Sequence, residues 1–274
     1  MIYFTNFHKR TASCNKYDNG NVLFISGSEG MAGAAILNII GARSAGTGYI
    51  QSLLPEDIYP IVAENEITTV YHVDDLNNPS FIETINLNKI DAIGIGSGLN
   101  NHPYAKEYFS YILANYDKPI VCDAYALQML SEDESLYDLN NNLILTPHMG
   151  EFSRLTKLPI EEITSDKETI ARDFSLKHHL TLVLKGPETI ITNDKGMYHI
   201  NESGNEVLSR AGSGDVLTGM ICGLIPRYDD TFEAVRDGVY LHGHIADMYT
   251  SEHSKEVFDL KTYPHYADMF FSSF

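Results

Sequence analysis

The chain has 274 residues, 43% of them hydrophobic and 20% charged. These proportions exclude a disordered chain and are enough for a sizeable buried core. A net charge of −18 excludes a nucleic-acid partner, because phosphate backbones are met by Lys/Arg surfaces. Small phosphates stay open to it, since backbone N–H groups bind anions without formal charge. The three cysteines, Cys14, Cys122 and Cys222, are odd in number and far apart, and form neither a disulfide framework nor a zinc spacing. The first ten residues (MIYFTNFHKR) lack the pattern of a secretory leader, and no apolar run reaches the ~20 residues of a membrane helix. A cytoplasmic protein without a membrane partner is therefore expected.

Short apolar runs ending in turns and followed by helical patterns recur along the chain. Residues 22–26 (VLFIS) form a strand, and 27–30 (GSEG) lead into a helix through 34–40 (AAILNII). Residues 67–72 are β-rich. Residues 91–96 (DAIGIG) make a buried strand stopped at Ser97-Gly98, and 119–123 (PIVCD) precede a helix over 124–130. Residues 143–146 (LILT) run into Pro147, His148 and a helix around 151–155. Residues 181–185 (TLVLK) follow a further helix, 189–200 read as a hairpin turning at Asp194-Lys195-Gly196, and a long helix spans about 232–249. Such repetition predicts one α/β domain over 1–274 with a mostly parallel sheet between helices. In open α/β sheets the ligand sits beyond the carboxyl ends of the strands.

The turns at that edge carry the candidate chemistry. In 210–224 (RAGSGDVLTGMICGL), Gly212, Ser213 and Gly214 open a helix whose first N–H groups and dipole attract an anion. Asp215 lies in that first turn, where a carboxylate can take the proton of a hydroxyl attacking phosphorus. The same four residues equally describe an ordinary acidic helix start. Lys185 and Gly186 end a strand with a cation and a residue permitting close backbone approach; a solvated lysine would look the same. His148, after Pro147, can hydrogen-bond a substrate or serve only structure. Residues 93–99 (IGIGSGL) lack the spacing of a dinucleotide fingerprint. His178, His179, His242 and His244 have no ligand spacing and are read as structural.

Taken in order, these segments resemble the ribokinase-like superfamily and, within it, the ADP/ATP-dependent NAD(P)H-hydrate dehydratases. The most discriminating is 145–152 (LTPHMGEF), supported by 21–28, 33–46, 95–99, 121–124, 183–186, 212–219 and 240–243. The resemblance implies a three-layer sandwich that phosphorylates the C6 hydroxyl of the S form of hydrated NADH or NADPH. Phosphate then leaves to restore the cofactor. It implies Asp215 as catalytic base, Gly212, Ser213 and Gly214 as anion hole, and Ala35, Gly98, His148 and Asp215 as substrate contacts. Lys185, Gly186, Pro187, Glu188, Thr189 and Gly214 would contact ADP or ATP, with Mg2+ bridging the phosphates. It also implies a homotetramer. Many relatives carry an N-terminal epimerase domain; about twenty residues precede the first strand here, so a separate epimerase is the expected functional partner. Ser97, Tyr125 and Met149 depart from the family's usual residues, as does the stretch 206–210. A small-molecule kinase that stops at the phosphorylated product, and a non-catalytic nucleotide sensor, are the competing readings.

Overall fold

The computed structural model describes residues 3–273. Nine strands form one sheet: β1 (Asn21–Ile25), β2 (Tyr49–Pro55), β3 (Val70–Asp74), β4 (Ala92–Ile95), β5 (Ile120–Cys122), β6 (Leu143–Leu145), β7 (Thr181–Leu184), β8 (Thr189–Thr192) and β9 (Tyr198–Asn201). Their order is β3-β2-β1-β4-β5-β6-β7-β8-β9. Pairing is parallel from β3 to β7 and antiparallel from β7 through β8 to β9. The apolar runs are continuous rather than alternating because both faces of the central strands are covered. On β1, Val22 and Phe24 enter one core while Leu23 and Ile25 enter the other.

One face carries α1 (Ala32–Ser44), α2 (Tyr59–Asn65), α8 (Ser213–Leu224), α9 (Thr231–Glu252) and α10 (Tyr263–Ser272). The other carries α3 (Ala105–Asn115), α4 (Tyr125–Glu132), α5 (Met149–Thr156), α6 (Ile160–Ser165) and α7 (Lys167–His178). The result is the expected three-layer α/β/α sandwich, with the hairpin appended at one edge.

Two details differ from the pattern-based reading. The strand expected at 67–72 begins only at Val70, because Thr69 closes the turn after α2 onto Glu66 and Ile67 stands 86% exposed. The β2 strand was not singled out by hydrophobicity. It buries Gln51, which is satisfied on both sides by Asn21 (2.6 Å) and His72 (2.8 Å).

The contact between α1 and α8 positions the chemistry. A Cβ on Gly219 would lie 2.0 Å from the Asn38 carbonyl oxygen, and one on Gly41 2.1 Å from that of Val216. The two helices therefore touch backbone to backbone, a separation only glycine allows.

Candidate active site

The loops after β1, β4, β5, β6 and β7 meet the start of α8 at the carboxyl edge of the sheet. Asp123, just after β5, is buried, and its Oδ1 accepts from Lys185 Nζ (2.9 Å) and Thr146 Oγ1 (2.9 Å). Lys185 is placed by extension of the β6–β7 pairing: its N–H donates to the Pro147 carbonyl at 2.8 Å, bridging His148 and Lys185 in parallel. Burial works against the ammonium charge, but Asp123, Glu151 and Asp215 outweigh it and hold the Lys185 pKa above its ordinary value. Glu151 Oε2 lies 4.0 Å from the same nitrogen.

The first turn of α8 runs directly over this pair. A Cβ on Gly214 would sit 3.2 Å from Lys185 Nζ and 3.6 Å from Asp123 Oδ2. Gly212 is the N-cap, no side chain caps the helix start, and Gly214 of this first turn, at the positive end of the helix dipole, lies beside Lys185. The Asp215 pKa is pushed up to about 7 by burial and then by the Asp123 charge, against the pull of the nearby Ser97 hydroxyl and of Lys185. Such a carboxyl exchanges a proton near neutrality, as a general base must.

His148 is the N-cap of α5 within a reciprocal capping box. Its Nδ1 accepts from the N–H groups of Gly150 (3.0 Å) and Glu151 (3.3 Å), while Glu151 Oε2 accepts the His148 N–H at 2.8 Å. With Nδ1 occupied as acceptor, the ring hydrogen belongs on Nε2, which lies 3.5 Å from Glu151 Oε2 on a half-exposed imidazole and can meet a ligand only as a donor.

A cavity of about 1060 Å³ opens beside the turn, lined by all of residues 185–189 together with His148, Ser213 and Gly214. Its far wall consists of residues 201–206 and 208–210 and the inner face of α9 at Val239, His242 and Gly243. Burial pushes the His242 pKa down to about 4, so the ring is neutral, and its Nε2 bonds the Ser213 carbonyl at 3.0 Å. His242, read from the sequence as structural, walls the cavity. Ala35 and Gly98 lie outside this cavity: Ala35 is fully buried, and Gly98 packs over α1, its carbonyl accepting from Ser28 Oγ at 2.7 Å. With φ +62°, a Cβ there would come within 2.7 Å of Ala34 Cβ. No group of three or more His, Cys, Asp or Glu arranged to hold a metal occurs among the described residues.

Comparison with known proteins gives this geometry its context. The NAD(P)H-hydrate dehydratase family matches residues 22–263. The chain belongs to this family.

Among its relatives is the ADP-dependent (S)-NAD(P)H-hydrate dehydratase of Bacillus subtilis, 32% identical over 90% of this chain and 87% of that one. A second is the bifunctional NAD(P)H-hydrate repair enzyme of Moorella thermoacetica, 33% identical over 87% of this chain; there the match spans 47% of the relative's length. The crystal structure of the ADP/ATP-dependent NAD(P)H-hydrate dehydratase from Bacillus subtilis, co-crystallized with ATP/Mg2+, superimposes with TM-score 0.85. It is 29% identical and covers 98% of this chain and 94% of that chain. The sandwich is the ribokinase-like fold.

Within this dehydratase-family framework, several residues join the site that spacing did not single out: Asn38, Ser97, Asp123, Thr146 and Glu151. Only Glu151 had a local signal, three residues after a helix N-cap. The others converge from separate loops and become visible only in three dimensions.

Proposed function

We propose that this chain restores the S form of hydrated NADH or NADPH, using ADP or ATP as phosphate donor. The observation that carries the reading is Asp215, a carboxyl held near neutrality in the first turn of α8, next to Gly214, which lines a nucleotide-sized cavity and lies over the Lys185–Asp123 pair. Asp215 accepts the proton of the C6 hydroxyl while that oxygen attacks the terminal phosphorus. The P–O bond to the nucleotide breaks, leaving AMP or ADP. Lys185 and the N–H groups of residues 212–214 balance charge on the transferring phosphoryl. The C6–O bond then breaks as phosphate departs, with the ring-nitrogen electron pair assisting, and loss of the C5 proton restores the double bond. Phosphate leaves far more readily than hydroxide, which is why a donor is consumed.

In this reading residues 185–189 and Gly214 hold the nucleotide. Gly98 and His148 frame the hydrated nicotinamide, with His148 donating from Nε2; Ala35, fully buried, drops out of the expected substrate contacts. A magnesium ion fits as one carried by nucleotide phosphates. Asp123, its Oδ2 turned toward Gly214, is the carboxylate that would hold it, directly or through water, and the ion would neutralise phosphate charge. We further read residues 1–274 as one dehydratase domain, cytoplasmic and homotetrameric, working with a separate epimerase.

The test is to incubate the protein with hydrated NADH, Mg2+ and ADP or ATP and follow reduced-nicotinamide absorbance. Nucleotide-dependent recovery is expected. A stable phosphorylated product without recovery would instead identify a small-molecule kinase, and nucleotide binding without turnover a sensor.

A further inference from the structure

His242 on α9 meets Ser213, the first residue of α8, in the cavity wall that both line. Its Nε2 lies 3.0 Å from the Ser213 carbonyl oxygen and 3.3 Å from Ser213 Oγ, and both residues are buried. A carbonyl oxygen can only accept, so Nε2 carries a hydrogen, whether or not Nδ1 carries another. A ring nitrogen that bears hydrogen cannot accept, so the Ser213 hydroxyl also receives from it and keeps its own hydrogen. No acceptor for that hydrogen occurs among the described residues. The ring itself is fixed: the fully buried Tyr263 stacks on it at 5.4 Å and donates its hydroxyl to the His242 carbonyl at 3.2 Å. The flanking backbone indicates the use of the spare hydrogen. The N–H groups of Gly212 and Gly214 have no partner among the described residues, whereas the Ser213 N–H is partly engaged by the Arg210 carbonyl at 3.4 Å. The residue between the two glycines therefore has its better donor in its side chain.

We propose that the Ser213 hydroxyl is a catalytic contact to the terminal phosphate of the bound nucleotide, added to the backbone donors of the same turn, and that His242 is its positioning residue. The proposal rests on the dehydratase reading, which puts the transferring phosphoryl at this turn. A serine hydroxyl free to choose could spend its hydrogen on a neighbouring nitrogen and turn lone pairs toward the phosphate. The Ser213 carbonyl closes that alternative by holding the hydrogen of His242 on Nε2. A neutral hydroxyl with a fixed polarity thus faces the phosphate oxygens as a donor and gains strength as charge builds on them.

Calorimetric titration with ADP and with AMP, both with Mg2+, isolates the terminal phosphate. Ser213→Ala should weaken ADP by about tenfold, the size of a hydrogen bond to a charged acceptor, and leave AMP unchanged. Its kcat with hydrated NADH and ADP should fall at least as far. His242→Leu should lose the same preference for ADP over AMP and add nothing in the double variant with Ser213→Ala. Histidine-selective 15N spectra of wild type, assigned with His242→Gln, should show hydrogen on Nε2 of His242; this reading stands even where His242→Leu does not fold. Equal weakening of ADP and AMP in Ser213→Ala, or none, overturns the phosphate contact, and a bare Nε2 overturns the role of His242. If wild type restores no hydrated NADH the dehydratase reading fails, yet the preference for ADP over AMP still decides whether the Ser213 hydroxyl reads the terminal phosphate.

Discussion

Replacing Asp215 with Asn separates what the residue does for catalysis from what it does to the fold. The carboxyl titrates at about 7 in the folded protein against an ordinary value of 3.8. Between those values the folded state keeps a proton that the unfolded state has released, so wild-type stability falls as pH rises and the loss is complete above about 7. At about 1.36 kcal/mol per pH unit the full penalty is about 4 kcal/mol, of which about 3 kcal/mol falls between pH 5 and pH 8. Asn mimics the protonated side chain and does not titrate. Asp215→Asn should therefore gain on wild type with rising pH, while turnover is abolished and nucleotide still binds. Urea unfolding at pH 5, 6, 7 and 8, with calorimetric nucleotide titration, gives both readouts. An advantage that does not change with pH would mean Asp215 titrates like an exposed carboxylate, and the reasoning that makes it the base would fail. Near wild-type turnover in the variant would remove it from the mechanism outright.

Asp123→Asn keeps the Oδ1 acceptor shared by Thr146 and Lys185 but removes the charge that pairs with the lysine. Lys185 then turns its charge to Asp215, and the acid limb of the rate profile should drop by about one pH unit. Stability should fall by about 3 kcal/mol, the low end for a broken buried pair because the lysine side chain is 21% exposed. An unmoved limb would contradict the account of Asp215. Gly219→Ala forces a methyl to within 2.0 Å of the Asn38 carbonyl and 3.0 Å of the Ala42 nitrogen, both backbone atoms. Thermal unfolding should register a loss of about 3 kcal/mol or more. Gly33→Ala, with nothing within 4 Å of the added carbon, should leave the midpoint unchanged or raised; equal effects of the two variants would argue against backbone contact as the cause.

The layered fold was legible because strands buried on both faces must be apolar throughout, and because each ends where a loop must turn. Where burial is achieved by pairing polar groups, as at Gln51, the hydrophobic signal vanishes although the strand is no less buried. The same distinction governs the site. The Gly-rich turn, Asp215, Lys185 and His148 occur in short stretches whose local chemistry is readable. Asp123 closes an apolar strand and reads as its polar terminus, while Asn38 lies in the middle of an apolar helix. Their importance comes from what lies opposite, a consequence of strand order that no local spacing encodes. His148 illustrates a partial reading: its place before a helix was plain, but the capping bonds that fix its tautomer required coordinates.

The backbone contact of α1 with α8 has a mechanical consequence. Side chains between two helices act as a compressible layer that lets them slide; here Gly41 and Gly219 remove that layer. The base on α8 and Asn38 on α1 thus ride on one stiff body. Displacement that admits substrate or releases product must be taken up on the opposite side of the cavity, by the loops at 186–189 and 201–206. The helix contact gives the proton chemistry a fixed side, and the cavity wall at 186–189 and 201–206 lies across from it. Altered turnover from changes in that wall should therefore appear in binding and release, with the ionisation of Asp215 untouched.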